Sequence, residues 1–370
     1  MRTKAFVSAV AITAALLGGS QASVAGAATP TLPPPTGPHH VGRFDVHLVD
    51  ASRRDPFDPT VPVRELMVSV WYPASGGTQK PLAPQQLPGA AQAFGELAGK
   101  VNYGVPPGTV DWAATMSHAH WRAPVEHGRW PVVLYSPGLG DPRDWNTSLV
   151  EDLASRGYVV VTIDPTYESS GVEFPGGRVV RSVVFDAEPT QQLLHTILDT
   201  RVADTRFVLD RLHGLPFADS DRIAVVGQSG GGFTALQAMH DDRRIKAAVD
   251  MDGQLAISLG DNGTDLSTVA IDGVDRPFLL FGTEAGGHAK RPSWASLWQH
   301  STGWHRDLLL TGTTEGAFTD AAPLLHQGPA DATAAKRAYV ASFLDRFLRG
   351  HDDHLLDAPS PSYPHVEFEG

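Results

Sequence analysis

From Trp130 onward, short apolar runs alternate with helical patterns: PVVLYSPG, LVEDLASRG, YVVVTIDP, RVADTRFVLDRLHG, RIAVVGQSGGG, IKAAVDMDG, RPFLLFGTE and RDLLLTG. No other feature restricts the fold so much. A strand covered on both faces reads as an unbroken apolar run, and strand–helix repetition of this kind predicts a mostly parallel sheet with helices on both faces. Upstream, VGRFDVHLVD and ELMVSVWYPA are β-rich and separated by a polar, proline-marked turn, which predicts an opening antiparallel pair. ATAAKRAYVASFLDRFLRG predicts a closing amphipathic helix with Gly350 as its stop.

The chain divides around that body. Arg2 and Lys4 precede an apolar run from Ala5 to Leu17, and small residues lead to Ala25-Gly26-Ala27, so 1–27 reads as a secretory signal peptide cleaved near Ala27. The run is shorter than the roughly 20 residues a membrane span needs, and no other stretch is apolar enough for stable membrane insertion. Residues 28–40 are proline-rich and read as an extended linker outside the fold. Residues 41–370 form one domain, in which 75–128, rich in Gly, Pro and Ala, reads as an irregular, cap-like segment, and 351–370 as a surface tail. With 370 residues and 42% hydrophobic content, one large core is sufficient. The formal net charge of −12 argues against a sequence-independent grip on nucleic acid or anionic lipid. There are no cysteines, which excludes disulfides, thiolate metal sites and a cysteine nucleophile. No cofactor is implied.

Within RIAVVGQSGGGFTALQAM, Gly227, Ser229 and Gly231 spell G-x-S-x-G between a β-branched run and a helix. A sharp strand-to-helix turn lifts a serine hydroxyl above a sheet, and flanking glycines let the chain make that turn. Neither a phosphate-loop lysine nor the G-x-G-x-x-G spacing is present, so a nucleophile is the better reading. Such a serine needs a base, an orienting acid and donors for the oxyanion. Gly230 is nominated for one donor and the turn Gly138 to Gly140 for the second. The acid should lie at the C-terminal edge of the strand in IKAAVDMDGQ, where ligand-facing groups gather. Asp252 sits at that edge; Asp250, two residues deeper on the same side, is the alternative.

These residues resemble the α/β-hydrolases similar to plasma-type platelet-activating factor acetylhydrolase, which include secreted bacterial lipases and cutinase-like polyester hydrolases. The likeness runs from about Arg43 to Phe368 through RELMVSVWYPA, VVLYSPGLG, RVADTRFVLD, the serine turn, the MDG step, SFLDRFLRG and SPSYPHVEF. It implies an α/β-hydrolase fold, nucleophile Ser229, acid Asp252 and oxyanion donors Leu139 and Gly230. The base departs from the pattern. Relatives carry a histidine in a G-x-x-H-x-x-F-x-D setting, whereas here Gly312, Phe318 and Asp320 surround Glu315, and GQS stands where relatives often have GHS.

Glu315 admits three readings. In the first, an ester hydrolase uses Glu315 as its base, as serine-carboxyl peptidases of an unrelated fold use Ser, Glu and Asp. A glutamate at its ordinary pKa of about 4.3 is weaker than histidine at about 6.5, but a neighbouring carboxyl such as Asp252 narrows the gap. A variant recruits a rescuing histidine from His118, His120, His288 or His326. In the second, Glu315 and Asp252 act as an acid/base pair without an acyl-enzyme, opening epoxides or cyclising a polyether-like product. In the third, catalysis has decayed and the chain only binds. The expected partner is a small, apolar or ester-bearing molecule, with Trp112, Trp121, Trp145, Trp294, Trp298 and Trp304 as candidate cleft walls. GDNGTD at 260–265 lacks calcium-loop spacing and reads as a turn.

Overall fold

The computed structural model describes residues 27–369, so the expected signal peptide falls, apart from Ala27, outside the described residues. Thirteen strands and nine α-helices follow. Strands β1 (His40–Asp50) and β2 (Arg64–Ala74) pair antiparallel along their whole length, Asp45 opposite Ser69. Then come β3 (Leu82–Pro84), α1 (Pro88–Glu96), α2 (Ala98–Val101), β4 (Met116–Trp121), β5 (Trp130–Ser136), α3 (Thr147–Ser155) and β6 (Val159–Ile163). A small hairpin, β7 (Gly171–Phe174) with β8 (Arg178–Arg181), precedes α4 (Gln191–Arg211), β9 (Ala218–Gln228), α5 (Gly230–Asp241) and β10 (Ile245–Met251). The chain closes with α6 (Thr268–Asp272), β11 (Phe278–Thr283), α7 (Pro292–His300), β12 (His305–Leu310), α8 (Ala321–Leu325), α9 (Ala332–Leu344) and β13 (Val366–Phe368). The large sheet has the order β13-β12-β11-β10-β9-β5-β6-β2-β1-β4-β3, and β6, β5, β9, β10, β11 and β12 run parallel.

The period-2 alternation explains the unbroken apolar runs. Val132, Leu134, Ile223, Val225, Phe278 and Leu280 enter the core on one face, while Val133, Tyr135, Ala224, Val226, Leu279 and Phe281 enter it on the other. Both faces are covered, so no position along these strands can be polar without cost; each fully buried Val or Leu contributes about 1.5–3 kcal/mol. Gly350 takes the left-handed conformation at φ 69° and ends the closing helix after one π-turn, Asp345–Arg349.

Three expectations need correcting. Residues 28–40 are extended, but they are not a free linker: Leu32 is 2% exposed, Thr36 donates through N and Oγ1 to Asp152, both at 2.8 Å, and Arg337 donates to the carbonyls of Pro33 and Pro34. Buried donors and carboxylates on the body need these partners, which holds the segment down. Segment 75–128 is more regular than expected: β3 and β4 extend the sheet edge beside β1, and α1 with Trp112 packs on Trp145 around Phe94. The tail is not merely surface-laid, since β13 pairs antiparallel with β12. Among the described residues no helix is long and apolar enough to cross a membrane.

Candidate active site

Five loops meet above the C-terminal ends of β5, β9, β10, β11 and β12, the edge at which open α/β sheets present their ligand-facing groups. Ser229 follows β9 with φ 56° and ψ −124°, a strained conformation for a serine, and α5 begins at the next residue. Only glycine fits around it. A Cβ on Gly227 would lie 1.9 Å from the Gly231 carbonyl oxygen, and one on Gly231 would lie 2.0 Å from that of Ser136. The turn is further tied by the Ser229 N–H, which donates to the Met251 carbonyl at 2.8 Å.

The turn after β5 brings Leu139 beside Gly230: the Leu139 nitrogen lies 3.9 Å from where a Gly230 Cβ would be. Arg201 of α4 locks this turn from below. It donates to the carbonyl of Gly138 at 2.9 Å and to Glu168 at 2.6 Å, while Glu168 accepts from the Gly140 N–H at 3.3 Å. From above, Asn102 donates to the Leu139 carbonyl at 3.1 Å and the Tyr103 hydroxyl to Asp141 at 2.6 Å. The segment after α2 is therefore a wall of the site. Burial pushes Asp141 up to about 7, with the nearby Glu315 charge adding to the rise.

Glu315 opens the short 3-10 turn Glu315–Phe318 after β12, and the Ser229 side chain is among the groups that favour its charged form. Gln228 Nε2 donates to Glu315 Oε1 at 2.9 Å. Loss of hydration, and then the charge of Asp252, push Glu315 from 4.5 up to about 7, against the opposing pull of Ser229, Arg291 and Gln228. Although protein atoms crowd the carboxyl, the residue is exposed to solvent. Water there tempers the desolvation of the carboxylate.

Asp252 follows β10 at φ 63°, and its Oδ1 is ion-paired with Arg291 Nη2. Thr283 at the end of β11 donates to it through N–H at 3.2 Å and through its hydroxyl at 3.2 Å to Oδ2. Burial pushes Asp252 up, and Arg291 pulls it back. Arg291 itself lies over the Trp294 ring at 4.5 Å. Arg291 thus pairs directly with Asp252, and its charge also favours the ionised form of Glu315. Asp250 is separate. It is fully buried, accepts the Gly253 N–H at 2.8 Å, and burial pushes it well up, which favours its neutral form.

Sequence reasoning missed Gln228 and Arg291. The first had a visible trace, since Gln228 and Glu315, both singled out in the sequence, turn out to touch; the second had none. The candidate rescuing histidines are engaged elsewhere: His118 with Glu151 at 2.7 Å, His120 with the Lys80 carbonyl at 2.8 Å, and His288 with Asp307 at 2.8 Å. His326 ends α8 in the left-handed conformation. Most of the candidate tryptophans serve packing rather than a cleft: Trp294 is fully buried and donates to the Gly253 carbonyl, Trp298 stacks on His288, and Trp304 packs on Phe343 and Phe347. Residues 260–265 form a turn whose Asp261 accepts from Ser293 at the start of α7.

Comparison with known proteins bears on the fold and the enzyme class. The family described as platelet-activating factor acetylhydrolase, isoform II, matches residues 25–174. A probable 1-alkyl-2-acetylglycerophosphocholine esterase of Arthroderma benhamiae is 28% identical over 377 residues, covering 91% of this chain and 93% of that protein. The platelet-activating factor acetylhydrolase of Canis lupus familiaris is 30% identical over 155 residues, 33% of this chain and 34% of that one. Among solved structures, the ferulic acid esterase from Streptomyces cinnamoneus superposes with a TM-score of 0.79 at 34% identity, over 93% of this chain and all of that chain. This chain therefore belongs to the α/β-hydrolases akin to platelet-activating factor acetylhydrolase, and is a hydrolase.

Proposed function

We propose that the protein hydrolyses small-molecule carboxylic esters through Ser229, with Glu315 as the general base. The observation that supports this most is the unbroken strand–turn–helix elbow of Ser229, with the Glu315 carboxyl held at its side by Gln228. Glu315 takes the Ser229 proton as Oγ attacks the ester carbonyl carbon. The Leu139 and Gly230 N–H groups receive the oxyanion that forms. Collapse of the tetrahedral species breaks the carbon–oxygen bond to the alcohol, which leaves with the proton from Glu315. Water then attacks the acyl-enzyme, again giving its proton to Glu315, and the acid departs with Ser229 restored.

A glutamate raised toward 7 is about as basic as an ordinary histidine, so the two-unit handicap of an unperturbed carboxylate largely disappears. Arg291 and Asp252 set that value from opposite directions. The relatives named for acetylglycerophosphocholine and ferulic acid share only the carboxylic ester, and that shared group defines the substrate class. An exported enzyme acting outside the cell fits the apolar leader ending near Ala27. Hydrolysis of p-nitrophenyl acetate and butyrate between pH 4 and 9 tests the reading: activity in the wild type that Ser229→Ala abolishes supports it, and activity unchanged in Ser229→Ala overturns it. A second reading draws on Glu315 and Asp252, two neighbouring carboxyls that burial pushes up. They suit acid/base opening of an epoxide, in which Ser229→Ala is tolerated and Glu315→Gln is not.

A further inference from the structure

The loop that carries Arg291 begins at a second group of polar side chains for which the ester chemistry has no use. His288 from the loop after β11, Asp307 in β12 and Glu369 just after β13 each offer one ligand atom, all within 4.8 Å of one another. Strand register brings the carboxylates together: Leu308 lies opposite Phe368, and the Glu369 N–H donates to the Asp307 carbonyl at 3.0 Å. Asp307 Oδ2 accepts the His288 backbone N–H at 2.6 Å and lies 2.8 Å from the ring Nδ1. The imidazole is held flat on Trp298, ring centres 3.9 Å apart and planes 8° from parallel. Asp307 is 0% exposed, and its Oδ1, like Glu369 Oε2, is buried without a hydrogen-bond partner among the described residues. A Cβ on Gly287 would lie 1.9 Å from Glu369 Oε2 and 2.1 Å from Asp307 Oδ2, so both oxygens aim at one spot before the loop backbone. Carboxylate oxygens facing each other out of water, with one imidazole as their sole cationic candidate among the described residues, are costly.

We propose that His288, Asp307 and Glu369 bind one divalent metal ion. One imidazole nitrogen with two carboxylates suits Zn²⁺ or Mn²⁺ better than Ca²⁺, which takes six to eight oxygens. Metal–ligand distances of about 2.0–2.2 Å set tetrahedral ligand atoms roughly 3.3 Å apart, so the His288–Asp307 contact opens by about half an ångström on loading. The imidazole ligates through Nδ1 as its neutral Nε2–H tautomer, any proton on Nδ1 passing to Nε2 or, from the imidazolium, to solvent. The ion fastens the turn in which the N–H groups of Lys290 and Arg291 both donate to the Gly287 carbonyl at 3.0 Å, and so holds Arg291 toward Asp252.

Calorimetric titration of the chelator-treated protein with ZnCl₂ is the test, read beside hydrogen exchange of residues 284–292. The expected result is one equivalent bound with a Kd below about 10 µM, weakened at least about tenfold in Glu369→Gln and abolished in Asp307→Asn. His354→Ala, in the exposed group of Asp352, His354 and Asp357, leaves binding unchanged. Exchange across 284–292 slows on zinc addition in the wild type and not in Glu369→Gln. Should buried Asp307→Asn fail to fold, Glu369→Gln at the chain's edge decides the matter. No saturable binding at one equivalent, or binding kept by Glu369→Gln and lost in His354→Ala, overturns the proposal.

Discussion

Replacing Glu315 by glutamine keeps the side chain's length and an oxygen facing Gln228 while removing its ability to accept a proton. Its surroundings move the carboxyl from 4.5 to about 7. If this carboxylate is the base, kcat/KM follows its ionised fraction. At pH 5 about one molecule in 100 would be ionised, against more than about four in five for a glutamate at its ordinary value. Ester hydrolysis by the wild type should therefore climb up to about a hundredfold from pH 5 to 9, with solvent around the exposed residue drawing the midpoint somewhat below 7. In Glu315→Gln the plateau should drop by about 10²–10⁴, the usual contribution of a general base, with KM little changed and the slope with pH gone. Stability should respond in the opposite sense. The folded pKa lies above the unfolded one, so this group's contribution is full below about 4.3 and lost as pH rises through the folded value near 7. Glu315→Gln should be neutral at pH 4 and stabilising at pH 8, by of order 1 kcal/mol once solvent access is allowed for. A Glu315→Gln protein that keeps the wild-type rate and pH profile refutes the assignment.

Arg291→Met removes the charge that favours ionised Glu315 and leaves Asp252 unpaired, so the midpoint of the pH–rate profile should move up by about one unit, with partial recovery at pH 9; Arg291→Lys should restore most of the profile. Glu315→His introduces an imidazole base, but Asp252 Oδ1 is already committed to Arg291. The double variant Glu315→His/Arg291→Ala, assayed on p-nitrophenyl esters, should therefore exceed Glu315→His alone by about tenfold or more. Deleting residues 28–37 removes buried Leu32 and the partners of Asp152 and Arg337, and should cost about 2–4 kcal/mol in a urea melt; an unchanged midpoint would show that this segment is not part of the folded body.

The parallel body was legible because its strands are covered on both faces, which turns Val132 to Tyr135 or Ile223 to Val226 into apolar runs with no other reading. The positions of Ser229, Asp252, Glu315, Leu139 and Gly230 were legible for a related reason: each follows a recognisable strand, and the strand ends share one edge. Arg291 was not. It lies 39 residues beyond Asp252 in a loop without periodicity, and only the folded chain shows that its guanidinium meets that carboxylate. Strands β3, β4 and β13 escaped because they are only 3, 6 and 3 residues long and owe their conformation to partners distant in sequence, as with Leu308 opposite Phe368. The binding of 28–37 escaped likewise, since its proline content describes an extended chain equally well whether free or pinned by Asp152 and Arg337.

The most direct test of the central claim is the rate at which a fluorophosphonate labels Ser229, followed by intact mass and peptide mapping from pH 5 to 9 in the wild type and in Glu315→Gln. A single adduct on Ser229, forming faster as pH rises toward and past 7 and strongly slowed in Glu315→Gln, is the predicted result. An unlabelled Ser229 in a protein that still hydrolyses esters, or labelling equally fast in Glu315→Gln, would contradict a serine nucleophile served by a glutamate base.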